Sequence, residues 1–119
     1  EQKLTDICQK IKDDLGIPYL RVVQTAKQKI STIALCTGSG GSLLEKAIQK
    51  KADLFITGDI KHHEALRARE MGLNIIDIEH FYTEQYFVPA LKERLVKTGF
   101  PKKLLLASEK VSIPFQLFQ

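Results

Sequence analysis

The residues best equipped for chemistry sit in three short stretches, and the densest is "IEHFYTE" at 78–84. His80 and Glu84 are four apart, so one helical turn or one tight loop brings an imidazole and a carboxylate to the same side. Such a pair can be a structural ion pair or part of a metal site. Neutral imidazole and ionised carboxylate suit zinc, manganese or iron without choosing among them. A protein metal site needs three ligands as a rule, so further groups must come from elsewhere. The second stretch, "TGDIKHH", offers Asp59, His62 and His63. Asp59 reads most simply as the N-cap of a following helix. Adjacent helical residues diverge by about 100°, so only one histidine can face a site, and His63 is the expected one. The third stretch, "TGSGGS", places Gly38, Ser39, Gly40 and Gly41 before a helix. It is either a plain tight turn or a cradle for a substrate anion. Cys36 beside it is a weaker candidate for a nucleophile, because no histidine adjoins it in sequence.

The elements that must carry these stretches follow from periodicity. Leu4, Ile7, Cys8, Ile11 and Leu15 have helical spacing, and Gly16 supplies a stop. "IPYLRVV" (17–23) and "ISTIALC" (30–36) read as two strands joined by a short polar link, an expected antiparallel hairpin. "SLLEKAIQKK" reads as a helix opened by a Ser42–Glu45 capping box. "ADLFITG" is a strand, "DIKHHEALRAREMG" a helix and "LNIIDI" a strand. "EQYFVPALKERLVKTG" is a helix kinked or restarted at Pro89. "KKLLLAS" (102–108) reads as a last strand, followed by the apolar tail "EKVSIPFQLFQ". The sequence thus predicts a single α/β domain over 1–119, in the order α-β-β-α-β-α-β-α-β. Its mostly parallel, mixed sheet has flanking helices and right-handed crossovers. Ligands of such folds gather at the C-terminal ends of the parallel strands, where all three stretches fall.

Composition is that of an ordinary globular domain, with 44% hydrophobic and 27% charged residues. No apolar run approaches the roughly 20 residues that span a bilayer, so no membrane partner is expected. The net charge of +4 comes from scattered lysines, so nucleic acid is not the expected partner. Cys8 and Cys36 lack the spacing of a zinc or redox pair, and with no secretory signal the expected compartment is the cytoplasm. The chain begins at Glu1, which leads us to expect a piece of something longer.

The run "ALCTGSGGSLLEKAIQKKADLFITGDIKHHEALRAREMGLNIIDIEHFYTE" resembles the Nif-three-like family, also called GTP cyclohydrolase I type 2 homologues. The similarity is continuous from about Leu20 to Leu95, and "IPF" near the C-terminus fits too. The order G-S-G-G, T-G-D, H-x-x-x-E is far more specific than any one motif. The resemblance implies the C-terminal half of a longer protein that holds two divalent metal ions in one pocket. It assigns His80 and Glu84 as ligands and draws a His-His pair and an Asp from the N-terminal half, which is absent here. His62 and His63 are therefore not that pair. Glu79 stands where the family usually has a small residue, often glycine, and either crowds the pocket or adds a carboxylate. The resemblance further implies a ring-shaped homohexamer and a metal-dependent hydrolase or GTP cyclohydrolase with a nucleotide-like or phosphorylated substrate. Gly38–Gly41, Asp59 and His63 are then candidates for holding the substrate's anion. A non-enzymatic module that uses metal for assembly or protein interaction is the alternative, and a metal-free nucleotide binder is a second. The tail residues Ile113, Phe115, Leu117 and Phe118 are expected to dock at a subunit contact or on the absent half.

Overall fold

The computed structural model describes residues 1–110 and 112–115. It forms two compact units, Glu1–Glu84 and Gln85–Gln119. The first contains every candidate site residue. Its elements are β1 (Gln2–Lys3), α1 (Leu4–Leu15), β2 (Arg21–Val23), β3 (Lys29–Ile30), β4 (Ile33–Ser39), α2 (Leu44–Gln49), β5 (Leu54–Gly58), α3 (His62–Glu70), β6 (Asn74–Asp77) and α4 (His80–Glu84). A 3₁₀ turn over Gly41–Leu43 leads into α2.

The main sheet has the order β2-β6-β5-β4. β4, β5 and β6 are parallel, and β2 runs antiparallel to β6. The fold is therefore mixed α/β with a mostly parallel sheet, as the alternation of strand and helix predicts. Side chains on a strand alternate between faces, and the core divides accordingly. Leu54 and Ile76 pack with Leu4, Ile7, Ile17, Ile30 and Ile78. Phe55 and Ile75, their neighbours in sequence, pack with Leu44, Ala47, Ile60, Ala68 and Leu73. Helix α1 thus joins one core cluster and α2 and α3 the other, which is why β5 and β6 read as continuous apolar runs. Ile75 and Ile76 are fully buried, each worth about 1.5–3 kcal/mol of apolar transfer. Helix α1 ends at Gly16, which adopts φ +63 and donates its N–H to Lys12, the left-handed cap that glycine supplies without strain.

Several expectations are corrected. The two strands at 17–23 and 30–36 do not form a hairpin. Only Arg21–Val23 is extended in the first, and it pairs with β6. The second divides: β3 pairs with β1, while the Ser31 and Thr32 N–H groups leave the ladder and donate to the buried Asp53 carboxylate. The link between them is held to the sheet, because Asn74 accepts from the Thr25 N–H and donates to the Lys27 carbonyl. Strand β4 continues through the glycine stretch to Ser39, with an irregularity between Leu35 and Ser39. The Ser42–Glu45 capping box is absent: α2 starts at Leu44, and Glu45 pairs with Arg67 at 2.8 Å. Asp59 is not an N-cap, since α3 begins at His62 with its first free amide, Lys61 N–H, donating to Glu64.

In the second unit α5 spans Phe87–Lys97, so Pro89 falls in the first turn, where its missing N–H costs no helical bond. The strand expected at 102–108 is replaced by a 3₁₀ turn over Lys102–Leu104, after Pro101. Leu104 and Leu106 are 64% and 97% exposed. Ile113 and Phe115 are exposed. Leu117 and Phe118 lie outside the described residues.

Candidate functional site

The parallel strands end at Ser39, Gly58 and Asp77, and the residues just beyond them converge. Two backbone reversals build the site. Asp59 follows β5 with φ +56, and Glu79 follows β6 with φ +60. Non-glycine residues adopt this left-handed conformation at a cost of about 1 kcal/mol. One buried side chain holds both turns. Asp77, only 3% exposed, accepts the Ile60 N–H on Oδ2 at 2.9 Å and the Glu79 N–H on Oδ1 at 3.0 Å. Arg21 lies 3.1 Å from Asp77 Oδ2 and donates to the Ile60 carbonyl as well. Nothing in the residues around Asp77 singles it out, and reading the sequence missed it. Its one signal is a carboxylate that directly follows two buried isoleucines at the end of a strand.

The turns present His80 and Asp59 to each other. His80 Nδ1 is 2.8 Å from Asp59 Oδ2, and His80 Nε2 is 3.1 Å from Glu84 Oε1. Helix α4 is one turn long and sets His80 and Glu84 side by side, as i, i+4 spacing requires. Thr83 fastens this turn. Its hydroxyl donates to the His80 carbonyl at 2.7 Å and accepts the Gly38 N–H at 2.6 Å. The Asp59 hydrogen bond, opposed in part by desolvation and helped by the Glu84 charge, holds the His80 imidazole above its usual pKa. All three side chains are about half exposed.

Close approach explains the glycines. A Cβ on Gly58 would stand 2.7 Å from the Glu79 carbonyl carbon, so the end of β5 lies directly against the Glu79–His80 peptide. A Cβ on Gly41 would stand 2.1 Å from Glu64 Oε1, and one on Gly40 would strike the Thr57 side chain. These positions abut protein atoms, and a carboxylate beside Gly41 repels an anion. Helix α2 has six residues, which leaves little dipole behind the loop. His63 is exposed and makes no hydrogen bond among the described residues, while His62 lines a separate cleft with Val22, Val23 and Arg69. Cys36 is half-buried and touches its own strand. Glu79 does not turn toward His80: its carboxylate accepts the Tyr19 hydroxyl.

Nitrogen and oxygen ligands bind zinc at about 2.0–2.2 Å, which sets two ligands of one ion roughly 3 Å apart. The 3.1 Å between His80 Nε2 and Glu84 Oε1 fits that bite. Asp59 lies on the opposite ring nitrogen and cannot share the ion. Accordingly, no group of three or more potential ligands occurs among the described residues. The pair offers two candidate ligand atoms on one side of the imidazole.

A mixed α/β unit with an open histidine–carboxylate pair at the C-terminal edge of its parallel strands is the class this geometry defines. The chain belongs to the Duf34/NIF3 (NGG1p interacting factor 3) family, whose description matches residues 1–112. It is 41% identical over 119 residues to the GTP cyclohydrolase 1 type 2 homolog of Staphylococcus aureus (strain COL), covering all of this chain and 32% of that protein. It is 38% identical over 112 residues to the protein of the same name from Campylobacter jejuni, covering 94% of this chain and 44% of that one. The crystal structure of Staphylococcus aureus protein SA1388 matches with a TM-score of 0.83 and 40% identity, over 98% of this chain and 39% of that chain. This chain therefore spans 32% to 44% of the length of these two relatives. Among the described residues no helix is long and apolar enough to cross a membrane.

Proposed function

We propose that this chain is the metal-binding half of a dinuclear metal-dependent hydrolase acting on a nucleotide-like or phosphorylated substrate, with His80 and Glu84 as its ligands. One observation carries the reading: Nε2 and Oε1 stand 3.1 Å apart, half exposed, where the parallel strands end. The remaining ligands would come from the rest of a full-length protein, because the chain covers only 32% and 44% of these two relatives. The same reading makes that protein a cytoplasmic homo-oligomer, with no nucleic acid or membrane as partner.

Divalent ions in such a site supply Lewis acidity to a substrate oxygen and to water. The chain's own residues do the positioning. Asp77 fixes the two turns, Thr83 locks α4 against β4, and Gly38 leaves room beside the pair. The half-exposed side chains leave the open side free for substrate and for ligands from outside the chain.

The test is turnover of a nucleotide panel, GTP included, by the full-length protein loaded with zinc, manganese or iron(II). Metal-dependent hydrolysis of one member is the expected result. Full metal content with no turnover of any member would favour the assembly role instead.

A further inference from the structure

We propose that Asp59 is a positioning residue for His80: its carboxylate takes the Nδ1–H and so leaves the Nε2 lone pair facing Glu84. The proposal rests on the metal-ligand role assigned above to His80. It gives a function to a residue that reads in the sequence as a helix cap.

A neutral imidazole carries one proton on two nitrogens. Here each nitrogen faces a carboxylate, so the side that takes the proton decides whether Nε2 can coordinate. Asp59 is the nearer partner, at 2.8 Å against 3.1 Å for Glu84. It is also the better held. Its backbone sits in the left-handed region, and the next amide, Ile60 N–H, is fixed by the buried Asp77. The Ile60 carbonyl accepts from Arg21, so both ends of that residue are tied. Helix α3 starts at His62, which leaves Asp59 free of any capping duty, and it makes no other hydrogen bond among the described residues. Glu84 is as exposed as Asp59, but it sits on a one-turn helix. Its carboxylate stands 3.1 Å from Nε2 and makes no other contact of this kind among the described residues, so it can swing to an ion beside that nitrogen. Histidines that bind metal almost always donate the second ring N–H to a carboxylate, carbonyl or water, which fixes ring and tautomer together. The strained turn at Asp59 thus has a use: it delivers a carboxylate to the one ring atom that a bound ion does not need.

The tautomer can be read without metal or activity. Two-bond ¹H–¹⁵N correlation spectra of the metal-free, ¹⁵N-histidine-labelled chain are recorded at about pH 9, where imidazole is neutral. His80 is assigned by its loss in His80→Gln. The wild-type ring should be the Nδ1–H tautomer, Glu84→Gln should keep it, and Asp59→Ala should move it toward Nε2–H. In the full-length protein, Asp59→Ala should lower zinc affinity about 10- to 100-fold with an unchanged circular dichroism spectrum. A wild-type ring that is mainly Nε2–H overturns the proposal, and that spectrum decides even if Asp59→Ala fails to fold. An Asp59→Ala ring still held as Nδ1–H overturns it too. A wild-type Nδ1–H ring in a full-length protein that binds no metal contradicts the ligand role of His80, while Asp59's hold on the ring stands.

Discussion

Gly38 lies directly against Glu84: a Cβ on Gly38 would stand 2.7 Å from Glu84 Oε1 and 3.3 Å from His80 Nε2. Its φ of +67 also belongs to the left-handed region. Gly38→Ala should therefore cost about 1–2 kcal/mol from the backbone alone and push the Glu84 carboxylate off its place. Thermal unfolding measures the first effect. Metal content of the full-length variant measures the second, and it should fall.

Asp77 should matter more for stability than its single charge suggests. Asp77→Ala strands the Ile60 and Glu79 amides and leaves Arg21 without its carboxylate. Arg21 is half exposed and loses little, but leaving buried donors unpaired costs about 1–3 kcal/mol. Urea unfolding should show a loss in that range, with Asp77→Asn intermediate because one amide oxygen remains to accept. A loss under about 1 kcal/mol would show that the turns hold without it.

The same kind of clip at the opposite edge gives a pH dependence. Asp53, buried at 5% exposure, bonds Lys27 and the Ser31 and Thr32 amides. The Lys27 hydrogen bond first, then the two backbone bonds, hold its carboxyl below the usual range despite burial. A lowered folded pKa means stability that is fully present above the unfolded value, about 3.9, and lost as pH falls through the folded one. Asp53→Asn should cost about 2–3 kcal/mol near pH 7. The gap to wild type should narrow below about pH 4 as the native carboxylate is protonated. Urea midpoints across that range check it, and a gap that stays constant would contradict the assignment.

Residues 1–119 alone should show no metal-dependent GTP turnover, since only two ligands converge. The measurement is GTP hydrolysis with added zinc or manganese, compared with the full-length protein. Activity well above background from the short chain would contradict the half-site reading.

The alternation from β4 to β6 was legible because the strands are short apolar runs, β5 and β6 buried on both faces, and each helix carries one apolar stripe. The pair His80–Glu84 was legible because i, i+4 contact is local. What was not legible depends on partners distant in sequence. The two exposed residues of β2 give no hint that its mate is β6 and not β4. Ser42 and Glu45 have the spacing of a capping box, yet Arg67, 22 residues further on, takes the glutamate. Asp59 precedes a helix and looks like its cap, but a backbone reversal turns it toward a histidine 21 residues away. Glu79 occupies a left-handed position that glycine fills at least cost, which gives a physical reason for the small residue that the family resemblance leads one to expect there. The "KKLLLAS" run has the composition of a strand, but composition does not specify a pairing partner, and after Pro101 the chain forms a 3₁₀ turn instead.

Metal stoichiometry of the full-length protein, with and without this pair, is the most direct measurement. By elemental analysis, His80→Ala and Glu84→Ala should each lower bound metal substantially. Both should leave the fold intact, since the two side chains are half exposed and outside the core. Full stoichiometry in both variants, together with a loss of several kcal/mol in stability, would make the pair structural and contradict the metal reading.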